Sequence, residues 1–600
     1  MTRTPEHDPR RRFLATTAGA GLAAGLLAGG FGAALRPARA EAPPDHALFP
    51  ARQPGKRQAG TLPPLGFRVY HKLGFGPRSA NPANLGGLGD IEYFNSLGAN
   101  DSARLQAWLD EQITGGSDPQ VDARTFENSN FTTLDKSLAQ LWQDHHRFEG
   151  NGAYRARRRP YRETTLLAIT RMVHSRWQLR ELLADFWHNH FNVDGNETAV
   201  RSVMVHHDRD VIRPHIFGNF RVMLEAAVKS TAMMYYLDNR QNATPNPNEN
   251  YARELLELHT LGAVENYLGF TPPDQVPLNL DGQPTGFVEA DVLEMARLLT
   301  GFGVADGDDG AADTGAFLFR PDWHDLGDKT VVGLTVPGSG ETELDVMLDY
   351  LTAHRGTAEF VCWKLAVRLI GDGFSAASPL VQQAADVFQS NRQAPDQLEQ
   401  VYRLLIGSDA FVSTWGEKAK RPTEIIAAAL RAAGADFTFE MRSAADDAGE
   451  FGFTSDIRRA GQEPFAYEPP TGYPEDRAIW QGSGPLIMSW RAVSRMLRDT
   501  DWTGGSQFAD VAGMTNAAGI ALTPNALVDF WTDRILGSAF ALDAPKRDVM
   551  VGFVQSHGQA AGPDALLGVD TGNTGANSAY QRVVRGLVLQ LALLPDVMVR

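Results

Sequence analysis

Asn246-Pro-Asn-Glu-Asn-Tyr-Ala-Arg-Glu-Leu-Leu-Glu-Leu-His-Thr-Leu-Gly262 is a stretch with both ends of a helix written into it. Asn246 suits an N-cap, Pro247 the first helical position, and Glu249 the acidic place of a capping box. Gly262 supplies a stop. At 100° per residue Leu258, Tyr251, Leu255, His259, Ala252 and Leu256 share one apolar arc, with Glu254 on its border. Glu249, Arg253 and Glu257 run down the opposite face at i, i+4 spacing. The pattern therefore directs His259 into packed surroundings, where an imidazole needs polar partners from elsewhere in the fold.

A second stretch, Phe186-Trp-His-Asn-His-Phe191, offers such partners. On a helix His188 and His190 point about 200° apart; on an extended segment they face one side. Asn189 and the turn Asn192-Val-Asp-Gly195 suggest fraying here, so a shared site is one expectation. In that reading His188, His190 and His259 ligate a metal, with Glu254 beside them and Asp185 or Asp238 as orienting acids. The cofactor such a set selects is a divalent transition metal. The competing reading makes the same side chains a buried hydrogen-bonded network, and a third makes them metal-free acid–base groups. His324-Asp325 is a second candidate, a neighbouring base and acid. The candidate catalytic residues are Glu254, His324 and Asp325, and the candidate metal ligands are His188, His190 and His259.

The chain around these stretches has 600 residues, 43% of them apolar, ample for a core. Its formal charge is −16. Residues 1–40 hold Arg3, Arg10, Arg11, Arg12, Arg36 and Arg39 against Glu6 and Asp8, so the remainder is more acidic still. Such a balance argues against a nucleic-acid partner. Cys362 is the lone cysteine, which excludes an internal disulfide, and its apolar neighbours mark it as a buried thiol.

Arg10-Arg11-Arg12-Phe13-Leu14, the Ala/Gly/Leu run of residues 15–35 and Ala38-Arg-Ala40 read as a twin-arginine signal with a cleavage site. Residues 41–66, rich in Pro, Ala and Arg, read as a linker or arm, and 67–600 as one large helical domain. Capped or amphipathic helices are expected at 100–113, 164–174, 178–190, 211–227, 289–300, 343–354, 357–369, 379–390, 396–405, 423–433 and 578–594. Strands are expected at 317–319 and 329–333, paired as a hairpin, and 268–286, 442–461 and 501–525 read as surface insertions. The fold class is mainly α. After Arg36 no apolar run is long enough to span a membrane.

Taken in order, Phe186-Trp-His-Asn-His-Phe191, Asp238-Asn239, Asn248 to Gly262, Ala296-Arg-Leu-Leu-Thr-Gly301 and His324-Asp325 with Lys329 form a recognisable series. Lys418-Ala-Lys-Arg-Pro422, Gly461-Gln-Glu-Pro464, Gly472-Tyr-Pro474 and Trp480 complete it. The series resembles the bacterial family called domain of unknown function 1800, from about His71 to the carboxyl end. Thr231 and Arg355 stand where such sequences usually carry proline, and 268–286 expands a short turn. The resemblance implies a secreted bacterial protein and names no activity. The chain has no phosphate loop, no Rossmann glycine pattern and no Gly-x-Ser-x-Gly elbow. Two classes remain. One is an exported enzyme, metal-dependent if the histidines converge, acting on an envelope or extracellular substrate through a His/Glu site. The other is a non-catalytic envelope scaffold or binding protein. Its partner is then an envelope polymer or a second exported protein.

Overall fold

A computed structural model describes residues 62–600, apart from 79–83, 85–86, 129, 280–281, 440–447, 499–507 and 538–541. The expected signal, with Arg10 and Arg11, and positions 41–61 of the expected arm lie outside the described residues. The rest of that arm is shorter than the sequence suggests. Pro64 precedes a helix, Leu65–Lys72, whose Phe67 and Val69 are fully buried.

The fold is mainly α, with helices following one another through Leu62–Arg600 as one compact unit. Among the described residues the sheets are two separate two-stranded hairpins. Phe302–Asp306 pairs with Asp313–Phe319, and Lys329–Val331 with Leu334–Val336. The expected pairing of 317–319 with 329–333 is therefore wrong. Its second segment turns back on itself at Val332-Gly333, with φ of 48° and 78°. A valine in this left-handed region is strained. Asp291 Oδ1 accepts from its N–H at 2.7 Å, and Tyr350 donates to its carbonyl at 2.7 Å, which holds it there. No described helix is long and apolar enough to cross a membrane.

Several elements depart from the periodicity. The span expected as one helix at 211–227 divides into a π-helical turn His207–Ile212, a short Arg213–His215 turn and a helix Phe220–Val228. The span 442–461, expected as an insertion, contains helix Ala448–Arg459, and 501–525 contains helix Val511–Ala517.

The key helix also differs. Its N-cap is Asn248, whose side chain accepts from Asn250 N, and its α-helical part is Glu249–Glu254. Asn246 instead bridges Ala243 in an extended geometry, as the residue before a proline favours. From Leu255 to Thr260 the helix is π-helical. Bonding from i to i+5 turns the chain less per residue, so later positions rotate off the expected arc. Leu258 is consequently half-buried and Glu254, expected at the border, is 3% exposed.

Helix Gln178–His190 keeps its expected bounds. Leu179, Leu182, Leu183, Phe186 and Trp187 fill the largest apolar core. Gln178 caps neighbouring backbone by accepting from Phe75 N at 2.9 Å, and Trp187 Nε1 donates to Tyr402 at 2.8 Å. Losing so large a buried side chain as Trp187 costs about 3–5 kcal/mol. A second core gathers Met172 and the helices near the carboxyl end, and a small third cluster is Ala419, Tyr473 and Trp480. Ala184, Met172 and Tyr473, one member of each, line a common cavity with His188 of this helix.

Candidate functional site

Because helix Gln178–His190 does not fray, His188 and His190 diverge, and they take different partners. His190 donates from Nε2 to the carbonyl oxygen of His259 at 3.1 Å, while Lys364 Nζ donates to its Nδ1 at 3.0 Å. The His190 and His259 rings lie 6.4 Å apart, so the two stretches do pack together as their patterns require. Contact runs through the His259 backbone, however. Neither His259 ring nitrogen has a hydrogen-bond partner, and burial, followed by Lys364, lowers its pKa to about 3. Burial likewise drives Lys364 down to about 8.

Glu254 hydrogen-bonds none of these histidines, and no partner for its carboxylate is found among the described residues. Burial, with Glu257 nearby, raises it to about 8, so it carries a proton at neutral pH. The neighbouring face behaves as the spacing predicts. Arg253 meets Glu249 at 3.5 Å, Glu257 at 3.6 Å and Glu289 of the next helix at 2.6 Å.

The expected metal set of His188, His190 and His259 is not assembled. Among the described residues no three His, Cys, Asp or Glu side chains are grouped to hold a cation. The reason is geometric: two ligands two positions apart on an intact helix cannot face one ion. Nor does Asp185 orient a histidine. Asp185 pairs with Arg368 and Arg421, at 2.9 Å each, and Asp238 is an exposed residue at φ 61°.

His324 and Asp325 do not act as a couple either. His324 is walled in: its Nδ1 donates to Thr300 O at 2.7 Å, and its Nε2 lies 3.0 Å from Glu343 Oε1. Lys329 Nζ lies 2.7 Å from Glu343 Oε2, and the side chains of all three are fully buried. Burial would raise the Glu343 carboxyl, but Lys329 and then His324 hold it below its ordinary range. Asp325 faces the other way onto Arg297 at 3.0 Å, whose hydrogen bonds hold it at about 2. These groups tie the Lys329–Val331 hairpin to helix Thr342–Ala353.

His188 is placed differently from all of these. Its Nε2 meets Asp208 Oδ1 at 2.9 Å, and no partner is found at Nδ1 among the described residues. Asp208 stands on the His207–Ile212 π-turn, a local widening often found at functional sites. Arg213 grips Asp208 at 2.8 and 2.9 Å and Glu181 at 3.0 and 2.8 Å. Burial would push the Asp208 carboxyl up, but Arg213 and then His188 outweigh it and hold it far below the usual carboxylate range. Asp208 is thus a fixed anion that orients the imidazole.

The imidazole lines a cavity of about 30 Å³, with Asp185, Asn189, Gln462, Phe465 and Tyr473 among its walls. The Gly461–Tyr473 stretch forms one of those walls and is pinned along its length. Asn192 donates to the carbonyls of Tyr467 and Pro469 at 2.9 Å, and Asn189 Oδ1 accepts from Tyr473 N at 2.9 Å. Gly195 N donates to Phe465 O at 2.7 Å. Gly472 must be glycine: it has φ 68°, and a Cβ there would stand 2.2 Å from Asn189 O. Phe465 has φ 62° and sets its ring 4.6 Å from His188; strain of this kind collects at working sites.

The sequence reading missed Asp208 and Arg213. The run His206-His207-Asp208-Arg209-Asp210 held the only signal, acids directly after histidines. Which imidazole that acid serves is a tertiary matter, twenty positions away.

The molecule is thus a large helical protein in which the motifs around His188 and those of the Gly461–Tyr473 stretch share one histidine–carboxylate crevice. The chain belongs to the family described as "Protein of unknown function (DUF1800)", which matches residues 68–591. No curated relative and no solved structure matches it.

Proposed function

We propose that this chain is an exported hydrolytic enzyme that works by metal-free acid–base chemistry, with His188 as the base and Asp208 as its orienting partner. The observation that carries the reading is an imidazole fixed at Nε2 by an ionised, Arg-held carboxylate, with no partner for Nδ1 among the described residues, in the wall of a cavity of about 30 Å³. That is room for a water molecule. A water there gives its proton to Nδ1 as its oxygen bonds to the electrophilic carbon of the substrate, the bond to the leaving group breaks, and the imidazolium, stabilised by Asp208, returns the proton to that leaving group. Asn189, Gln462 and Tyr473 hold the cavity's shape, while Glu181 and Arg213 keep Asp208 in place. Export across the cytoplasmic membrane is read from Arg10 and Arg11, and an envelope or extracellular substrate follows from it.

The test is turnover by purified mature protein on isolated peptidoglycan, envelope polysaccharide and ester substrates, with products read by mass spectrometry. Expected is a product that His188→Gln loses by at least 100-fold and that EDTA leaves unchanged. Product formation that survives His188→Gln, or that EDTA abolishes and zinc restores, would overturn the reading. The second reading, a non-catalytic envelope scaffold, is favoured by the closed ion-pair network of Asp185, Arg368, Arg421, Glu424 and Glu475 behind the crevice. It predicts no His188-dependent product on any of these substrates.

A further inference from the structure

On the other side of the Gly461–Tyr473 stretch lies an open cleft of about 420 Å³, lined by Asn196, Arg458, Glu463, Tyr467 and Tyr473. Tyr473 belongs to both walls, facing the His188 crevice as well as this cleft. We infer that the cleft binds a neutral saccharide unit of a polymer, and so names the substrate class of the enzyme proposed above, on which reading this inference rests.

Three features of the cleft point to that chemistry. First, it has an aromatic floor. The Tyr467 and Tyr473 rings lie 4.6 Å apart at 44°, and Tyr473 also stands 6.2 Å from Trp480. Sugars present apolar C–H faces that pack on such rings, as other rigid amphipathic rings do.

Second, its polar groups suit paired hydroxyls. Asn196 spends its Nδ2 on Asp194 at 3.2 Å, which leaves the amide oxygen as an acceptor. Arg458 spends Nε on Glu463 and is 49% exposed, so the rest of its fork faces the opening. A donor fork beside an amide acceptor matches the alternating donors and acceptors of a polyol.

Third, Arg458 and Glu463 neutralise one another, so the cleft offers no net field to an anionic ligand. A phosphorylated or carboxylated ligand would gain nothing from it.

The cleft is also preorganised. Tyr473 is fixed by its hydroxyl on Glu463 O at 2.7 Å and by its N–H on Asn189, and Tyr467 by Asn192 on its carbonyl. Little ordering cost remains for a ligand. Its volume lies in the ordinary range for small-ligand clefts. Asn189, Asn192 and Tyr473 join the cleft's aromatic floor to the wall that carries His188. A polymer seated here thus rests against the element that shapes the reacting cavity.

The experiment uses the mature protein and three probes, chitotetraose, cellotetraose and maltotetraose, with binding read by calorimetry and ligand-observed NMR. Expected is measurable binding of at least one probe, weakened tenfold or more in Tyr467→Ala and retained within threefold in Tyr467→Trp. Thermal unfolding of both variants confirms that they fold. Binding of no probe, or binding unaltered by Tyr467→Ala, overturns the inference, as does tighter binding of an anionic probe such as glucose 6-phosphate than of any neutral one. His188→Gln separates the two proposals. Probe binding that persists in His188→Gln supports the cleft whatever becomes of turnover. Wild-type turnover of an ester with no saccharide binding leaves the base standing and sinks the cleft.

Discussion

His188 and His324 are both buried imidazoles with a carboxylate oxygen close by, Asp208 at 2.9 Å and Glu343 at 3.0 Å. Pair geometry alone does not distinguish them. The rest of each ring does. His324 uses both nitrogens and shares its carboxylate with Lys329, so no atom of the group is left to meet a ligand. His188 uses one nitrogen, shares its carboxylate with Arg213, and lines a cavity, with no partner for the other nitrogen among the described residues. The first is a lock between a hairpin and a helix, the second a base held in working position. A motif histidine next to an acid is therefore informative only once the second nitrogen is accounted for.

The largest effect expected from this contrast lies on the His324 side. Glu343→Gln leaves the Lys329 ammonium buried without its anion, and removing one partner of such a pair costs about 3–5 kcal/mol. Chemical denaturation should show that loss with no redistribution of the remaining helices; an unchanged midpoint would mean that the cluster is not the lock described.

On the other side, Asp208→Asn should lower stability by about 1–3 kcal/mol, because Arg213 keeps only Glu181. His188→Gln should cost less than about 1 kcal/mol while removing turnover. Equal stability losses in His188→Gln and Asp208→Asn would break the distinction between the base and its holder.

A third test uses pH. The Glu254 carboxyl moves from an ordinary 4.5 to about 8 in the folded chain. Between those values the folded state holds a proton that the unfolded chain has released, so this group's contribution to stability is full below about pH 4.5 and declines as pH rises through 8. Glu254→Gln should flatten that decline and gain about 1–3 kcal/mol over wild type at pH 8. A slope unaltered by the substitution would place the carboxylate in water instead.

The smallest effect concerns His259, whose ring has no hydrogen bond at either nitrogen. Exchanging an unpartnered polar ring for an apolar one of similar shape is close to neutral or stabilising. His259→Phe should change stability by no more than about 1 kcal/mol. A loss of several kcal/mol would reveal a partner at that ring.

Much of the helical architecture was legible because apolar spacing and caps are local. Gln178–His190 and Pro379–Ser390 keep their expected bounds, and the Arg253 ion-pair face follows from i, i+4 spacing. The π-turns were not legible. A single widened turn rotates Leu258 outward without altering composition. The hairpin at Val332-Gly333 was misread because its strained valine is held by Asp291 and Tyr350, both distant in sequence. At the site, His188 was legible as a candidate ligand in the Phe186–Phe191 stretch. Its partner was not, since Asp208 reaches it from a separate π-turn.

The central claim is that solvent reaches His188 and does not reach His324. Hydrogen–deuterium exchange at the imidazole C2 position, followed by mass spectrometry of each histidine peptide in the folded protein, measures it directly and needs no substrate. The account predicts exchange at His188 at least tenfold faster than at His324, with the His188 rate lowered when an oligosaccharide occupies the neighbouring cleft. Equal protection of the two histidines would contradict it, because a base that water cannot approach cannot activate water.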